Sequence, residues 1–366
     1  MSQTEPYIRK LRSYVNEQIP KLRTVSPLDL ESMGETFTPE DLIESADLDS
    51  QEIIDSFRLS LITESLTEQY SQTFKIGAKK HGADWLENYI SGFWEPDELG
   101  HADPFKNILI TLGIDKRSIE NEIQEAKEST NYHSTHKSGF HPVELTTYGM
   151  IQECITDYWY ELQRDMLPEN SNTSRVISKV KGREALHTVQ FRNLTAIQIE
   201  AEPELIDNVI HATLNFQMPA NEIEPIKDIE SKTQEWIPRM NGEVIGLLKR
   251  IVSNLSTALD DKDKLGKLFT RYASHSERRF IKFIPNSFLA QAIRRIRPGY
   301  GIVGEIVLEQ LGLISNESQV PKNTIEEIEF RIKTAIKRWV KHRLYLEGFL
   351  DKRSALLSNS TANENL

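Results

Sequence analysis

Apolar residues recur along most of the chain at intervals of three and four positions, whereas alternating runs of β-branched residues are scarce. This spacing places apolar side chains on one face of an α-helix. We therefore predict an all-α protein. The predicted long helices cover residues 49–80, 85–112, 143–166, 174–200, 204–216 and 324–350.

Polar segments of small residues separate these helices. KESTNYHSTHKSGFHP (127–142) is predicted to be a surface connection, and PENSNT (168–173) a turn. The closing SALLSNSTANENL is polar and small, which is typical of disorder. The predicted organisation is an N-terminal arm with short helices, a helical bundle, additional C-terminal helices packed on the bundle, and a disordered tail, over 1–48, 49–220, 221–353 and 354–366.

Composition and charge exclude several classes of protein. With 44 basic and 55 acidic side chains in 366 residues, the net charge is −11, so an all-round nucleic-acid binder is excluded. No window reaches the run of about 18 apolar residues that a membrane span needs. The first residues lack the apolar segment of a secretory signal, and a single cysteine, Cys154, excludes an internal disulfide. A soluble cytoplasmic protein is therefore expected.

The charge is unevenly distributed. Residues 31–60 hold nine acids and one base, whereas 261–300 hold ten bases and three acids, and 331–353 hold eight bases and two acids. These basic stretches have two interpretations: solvated helix faces, or a patch that binds an acidic partner. Such a patch would include Arg278, Arg279, Lys282, Arg294, Arg295 and Arg297.

Two Glu-x-x-His pairs, Glu98–His101 and Glu184–His187, are the first candidates for chemistry. A carboxylate and an imidazole three residues apart lie on one face of a helix and can bind the same ion. Because the chain has 38 Glu and 9 His, random placement gives about one such pair. The two pairs alone are therefore weak evidence for a metal site, and the residues around them must be considered.

Both pairs lie within apolar stripes. Glu98 and His101 share a helical face with Trp94, Phe105 and Ile108, so this face should point inward. The second pair also shares a helical face with an aromatic and an aliphatic residue. The residues of this face are Glu184, His187, Phe191 and Leu194. A buried, unpaired carboxylate costs several kcal/mol, so it needs compensation that a metal pair supplies.

Two further carboxylates, Glu64 and Glu153, can complete the set. Four carboxylates and two imidazoles carry a charge of −4, which two divalent ions neutralise. Oxygen-rich, sulfur-free ligation with two histidines suits Fe or Mn better than a structural zinc site. One Glu from each of two helices plus Glu-x-x-His from each of two others is the known ligand layout of ferritin-like di-iron bundles.

The stretch from about Phe57 to Ala220 resembles the soluble acyl-ACP desaturases. LITESLTEQY is similar to the family's first-ligand helix, WEPDELGH to its W-T-A-E-E-x-x-H segment, and TYGMIQECIT to its F-Q-E-x-x-T helix. REALH resembles D-E-K-R-H, and NFQMPA resembles S-M-P-A-H. The order of all six candidate ligands agrees with the family.

The resemblance implies a ferritin-like four-helix di-iron bundle, extended by C-terminal helices, that binds two Fe ions. It implies that two glutamates bridge the irons while each iron has one further Glu and one His. The implied sets are Glu98 and Glu184 as bridges, Glu64 with His101, and Glu153 with His187.

Other positions follow or depart from the family. Thr156 matches a hydroxyl near the oxygen site and is the candidate catalytic residue, and Trp94 matches a Trp near the first iron's helix. Arg183 replaces the acidic residue before the second Glu-x-x-His, which changes the surroundings of the ligands. Pro104 should kink its helix, because it removes a backbone hydrogen bond to Gly100.

The implied activity is O2-dependent desaturation of a fatty acyl chain carried on acyl carrier protein. The resemblance also implies a ferredoxin-like electron donor and a homodimer. Neither a nucleic acid nor a membrane is expected as a partner. Arg183 and the unplaced residues 217–286 leave open a di-iron oxygenase or oxidase that acts on another small metabolite. A metal-free helical interaction protein, which binds its partner through the basic helices, is the third hypothesis.

Overall fold

The computed structural model describes residues 5–22, 38, 40–43, 47–230 and 232–259. The basic stretches 261–300 and 331–353, the predicted helix 324–350 and the predicted tail 354–366 lie outside this part of the chain. Within it there are helices and turns and no strand, so the predicted all-α class is confirmed.

The helices before the first long polar connection are mostly short. They are α1 (Glu5–Ser13), α2 (Ile19–Leu22), α3 (Glu40–Ile43), α4 (Ser50–Glu64), α5 (Thr67–His81), α6 (Asp84–Tyr89), α7 (Glu95–Glu98), α8 (Ala102–Thr111) and α9 (Lys116–Ser129). Two π-helical turns, Tyr14–Gln18 and Ile90–Trp94, join neighbouring segments.

The two longest helices follow. The remaining helices are α10 (Tyr132–Thr135), α11 (Pro142–Met166), α12 (Asn172–Ala201), α13 (Ile206–Leu214), α14 (Lys227–Glu230), α15 (Thr233–Arg239) and α16 (Val244–Leu259). Short 3-10 turns cover Pro203–Leu205 and Pro219–Glu222. The bounds of α11 and α12 agree with the predictions of 143–166 and 174–200 to within two residues at each end.

The predicted helix 49–80 is divided in two. Asp49 caps the start of α4, where its side chain and that of Glu52 satisfy each other's backbone N–H groups. Ser65 and Leu66 form a turn after Glu64, and α5 continues to Gly82, whose φ of +63° ends the helix in the left-handed conformation. Glu64 therefore lies at the last position of its helix.

The predicted helix 85–112 is interrupted twice, by the π-helical turn and again between Glu98 and Ala102. The expected kink at Pro104 is instead a complete break three residues earlier. Pro104 is the third residue of α8, where a backbone N–H has no partner within the helix. The proline therefore fits the first turn of α8 without losing a hydrogen bond.

The segment 113–142 is more ordered than its sequence suggests. Helix α9 has no counterpart among the predicted helices, and α10 interrupts the predicted surface connection. Tyr132 of α10 is buried, and its ring packs edge-on against Tyr70 with 4.8 Å between the ring centroids. The prediction of a surface connection is wrong at this position, because one aromatic residue anchors the polar segment to α5.

Helices α11 and α12 form the centre of the described structure. A short turn joins them, and they pack antiparallel, with Thr195 of α12 donating a hydrogen bond to Thr146 of α11 at 2.8 Å. Helix α16 packs against both of them, α13 against α11, and α4 against α8. The two apolar stripes predicted from the sequence, including their Glu and His members, are all buried.

Gly149 marks the closest approach of α11 to α12. A Cβ atom there would lie 2.7–2.8 Å from three ring atoms of Phe191. We expect Gly149→Ala to lower the free energy of unfolding by about 1–3 kcal/mol, because a closely packed ring must shift. Gly182→Ala is the matched control, since a Cβ atom there meets nothing within 4 Å. The control should stabilise α12 by about 0.5–1 kcal/mol.

Urea unfolding followed by circular dichroism measures both variants. Equal stability of the two would show that the α11–α12 contact at Phe191 is looser than the structure describes.

Candidate metal centre

Six buried side chains from four helical segments converge at the centre of the molecule. Their potential ligand atoms form two groups, and within each group the atoms lie within 4.8 Å of one another. The first group is Glu64, Glu98, His101 and Glu184, and the second is Glu98, Glu153, Glu184 and His187. The structure thus brings together all six residues singled out in the sequence, with Glu98 and Glu184 belonging to both groups.

The helices position these side chains in two different ways. Glu153 lies on α11, and Glu184 and His187 lie one turn apart on α12, so two long helices fix three of the six. Glu98 and His101 are not on one continuous helix, because α7 ends at Glu98 and His101 caps α8. A turn hydrogen bond of 2.9 Å from the His101 N–H to the Glu98 carbonyl oxygen keeps the pair together.

All six side chains are nearly inaccessible to solvent. An isolated ionised carboxylate in such a position would cost several kcal/mol, so the cluster requires bound cations or protons. The exposed fractions are 7% for Glu64, 4% for Glu98, 0% for His101, 2% for Glu153, 1% for Glu184 and 2% for His187.

Both histidines present Nδ1 to the carboxylates. His101 Nδ1 lies 2.6 Å from an oxygen of Glu184 and 3.3 Å from an oxygen of Glu98. His187 Nδ1 lies 2.6 Å from the other oxygen of Glu98 and 3.8 Å from an oxygen of Glu153. The two rings stack with 5.9 Å between their centroids. Each imidazole therefore faces a shared carboxylate.

The donor atoms fit a pair of metal ions. Glu98 Oε1, Glu184 Oε1, His101 Nδ1 and His187 Nδ1 are buried, and none has an aligned hydrogen-bond partner among the described residues. Such groups are rare in proteins and require an explanation, of which a metal ion is one. An ion in each group would take up these atoms as ligands, with oxygen and nitrogen donors that suit Fe or Mn.

Protonation of two carboxyl groups balances part of the charge without metal. Burial and the negative charge of Glu98 raise the pKa of Glu64 to about 8. The same two causes raise the pKa of Glu184 well above its ordinary value. The raised pKa values favour the protonated form of both groups when no metal is bound.

The histidines carry the compensating positive charge. Burial opposes their protonation, but the negative charge of Glu98 outweighs it and raises the pKa of His187 to about 10 and that of His101 above its usual range. The Glu98 carboxylate, although buried, has a lowered pKa because of the two imidazolium charges. Metal binding must displace these protons, so it should release protons and weaken at low pH.

Neutral donors hold two of the outer carboxylates. Trp94 donates a hydrogen bond from Nε1 to Glu153 at 3.0 Å, and the Tyr160 hydroxyl donates to Glu64. The resemblance matches Trp94 to a Trp near the first iron's helix, and in the structure its hydrogen bond goes to Glu153 of the second group. Tyr160 was missed, although its position seven residues after Glu153 puts it on the same face of α11.

Arg183 forms part of an ionic chain around His187. His187 Nε2 lies 3.0 Å from one oxygen of Asp97, and Arg183 Nη1 pairs with the other oxygen. Arg183 is itself buried, with 6% of its surface exposed. The sequence marked Arg183 as unusual but did not indicate Asp97 as its partner, because the two residues lie on different helices.

Thr156 lies one turn beyond Glu153 on α11 and is half-buried. Its hydroxyl donates a 3.0 Å hydrogen bond to the carbonyl oxygen of Gln152. Among the described residues, the Thr156 hydroxyl makes no hydrogen bond to a carboxylate or imidazole of the cluster. Its catalytic role remains a prediction.

No protein-family model matches the chain, and no curated protein is significantly similar to it. Among the described residues, no helix is both long enough and apolar enough to cross a membrane. The geometry of the cluster is therefore the basis for a proposal about function.

Proposed function

We propose that this protein is an oxidoreductase with a dinuclear metal centre, held by Glu64, Glu98, His101, Glu153, Glu184 and His187. The observation that supports the proposal is the pair of four-residue groups that share two carboxylates. A structural site for one ion needs neither the shared ligands nor the second group. Glutamates from two helices together with Glu-x-x-His from two others are typical of di-iron and di-manganese carboxylate proteins.

The donor set favours two Fe ions over zinc. The cluster contains four carboxylates and two imidazoles and no thiolate, and Fe and Mn prefer such ligands. The candidate ligands resemble those of the ferritin-like four-helix bundle, in which two helices give one Glu each and two give Glu-x-x-His. Here α4, α11 and α12 contribute as that layout requires, and α7 with the start of α8 provides the fourth segment.

The reaction that we propose is desaturation of a fatty acyl chain carried on acyl carrier protein. The bound irons would supply O2 activation. The chain's own residues would hold two ions, exclude water from them through burial, and keep their charge balanced. Two electrons would come from a ferredoxin-like donor, with the protein in the cytoplasm and acting as a homodimer, as the resemblance to the soluble desaturases implies.

Arg183 supports a second candidate, a di-iron oxygenase or oxidase that acts on another small metabolite. In place of an acid, this chain has a buried arginine paired with Asp97 beside the ligand His187. Groups around the ligands tune a metal's reactivity, so this difference favours an altered reaction outcome.

Product analysis separates the two candidates. Iron-loaded protein is incubated with stearoyl- or palmitoyl-ACP, O2 and a reducing system, and the acyl chains are analysed by mass spectrometry. Desaturation predicts a product lighter by two hydrogen atoms, and hydroxylation predicts one heavier by an oxygen atom. Glu184→Gln, which removes a shared ligand, should abolish either product. Consumption of O2 by the wild type without change to either acyl chain would contradict the desaturase proposal and favour another substrate.

A further inference from the structure

We propose that the two ion positions are inequivalent, and that Asp97 and Arg183 make the position formed by Glu153 and His187 the one that binds the first ion. This inference rests on the proposed metal centre. Asp97 and Arg183 are then positioning residues, which act on an ion through His187.

The Asp97 contact determines which nitrogen of His187 is left for an ion once the imidazolium proton is displaced. Nε2 lies 3.0 Å from an oxygen of Asp97 and donates a hydrogen bond to it, because an ionised carboxylate can only accept. A neutral imidazole has one N–H and one lone pair, so a proton held at Nε2 leaves the lone pair on Nδ1. Nδ1 is the atom that faces Glu98 and Glu153. The ring is therefore oriented for an ion before the ion arrives.

Arg183 fixes Asp97 from the other side. The guanidinium contacts Oδ1 of Asp97, while His187 contacts Oδ2. Both oxygens of one carboxylate are thus occupied, and the side chains of Asp97 and Arg183 are only 9% and 7% exposed. A buried charge-assisted contact holds its geometry better than a solvated one does, because water does not compete for the groups.

His101 has no equivalent support. Its ring is fully buried, and neither Nδ1 nor Nε2 has an aligned hydrogen-bond partner within the described parts of the chain. Among the described residues, Nε2 of His101 has no carboxylate to hold a proton there when Nδ1 binds an ion. The lack of this support lowers the affinity of the position formed by Glu64 and His101.

The carboxylates of the two positions do not offset this difference. Glu153 accepts a hydrogen bond from Trp94, and Glu64 accepts one from Tyr160. Each position thus has one neutral donor on its own carboxylate, and the remaining ligands are shared. In these hydrogen bonds, the difference between the two positions therefore lies at the two histidines. Removal of an outer partner of a ligating His typically costs 10–100-fold in metal affinity.

Titration of the metal-free protein with Mn2+ tests the inference, with the electron paramagnetic resonance signal of free Mn2+ as the readout. We expect the wild type to bind two ions in two steps whose dissociation constants differ by about 10-fold or more. His101→Ala should keep the tight step and lose the weak one. His187→Ala should lose the tight step. The opposite assignment would overturn the proposal.

The double variant Asp97→Asn with Arg183→Met removes the ionic chain without leaving a buried unpaired charge. We expect it to weaken the tight step by about 10–100-fold and to leave the weak step unchanged, so that the two steps merge. Asp103→Asn is the control, because it removes the same charge from an exposed position two residues after His101. It should bind like the wild type, and circular dichroism should show equal helix content in all variants.

The outcomes distinguish this inference from the proposed function. Two equal steps in the wild type would overturn the inequivalence. An unchanged tight step in the double variant would overturn the role of Asp97 and Arg183. Either result leaves the metal centre intact. A wild type that binds no Mn2+ and no Fe2+ would overturn both.

Discussion

Glu98→Ala is expected to reduce the iron content from two ions per chain to fewer than one. Glu98 belongs to both ligand groups, so its removal takes a donor from each ion at once. Loss of a residue that only supports a ligand already costs 10–100-fold in affinity, and loss of a direct, shared ligand should cost more. Glu98 is also the carboxylate that attracts both imidazoles, through contacts of 3.3 Å to His101 and 2.6 Å to His187.

Elemental analysis after anaerobic loading with Fe2+ and desalting provides the measurement. Glu68→Ala is the matched control, because this exposed glutamate lies four residues after Glu64, in the first turn of α5, and belongs to neither group. The control should retain two ions. If Glu98→Ala retained two ions as well, the shared-ligand assignment would be wrong.

Removal of metal is expected to make the stability of the protein strongly dependent on pH. In the metal-free protein, Glu64 has a pKa of about 8 and His187 a pKa of about 10, both above their ordinary values. The folded state therefore binds more protons than the unfolded state does, and its stability falls as pH rises through the range from about 4.5 to about 10. Bound metal ions take over the neutralising role of these protons.

Melting temperatures of metal-free and metal-loaded protein between pH 5.5 and 9 test this expectation. At a free metal concentration about 1,000 times the dissociation constant, each ion adds about 4 kcal/mol to the free energy of unfolding. The difference between the two forms should widen as pH rises, because fewer protons compete for the ligands. Glu64→Gln should reduce the pH dependence of the metal-free form, since the amide does not titrate. A metal-free form that becomes more stable from pH 6 to pH 9 would contradict the account.

The sequence predicted the inward-facing positions because burial follows helical spacing. Glu98 lies in a stripe with Trp94 and Phe105, and the structure buries all three. The same spacing identified α11 and α12, whose ends agree closely with the predicted ones. Local periodicity was thus sufficient for the all-α class and for the faces that carry the candidate ligands.

Contacts between distant segments were not predictable from that periodicity. Asp97 and Arg183 are 86 positions apart in the sequence, and neither residue's spacing indicates that they pair. The helix breaks after Glu98, where Leu99 and Gly100 form turn hydrogen bonds. The spacing of apolar residues does not distinguish this turn from a continuous helix. These features set the surroundings of the ligands, and such surroundings tune the reactivity of a bound metal.

The central claim is that two ions share the carboxylates of Glu98 and Glu184. Mössbauer spectroscopy of protein loaded with 57Fe and exposed to O2 tests it most directly, because Fe3+ ions joined through shared carboxylates couple magnetically. The account predicts two irons per chain in a spectrum of quadrupole doublets without magnetic splitting at low temperature and weak applied field. Isolated Fe3+ with magnetic splitting, or no bound iron, would contradict it.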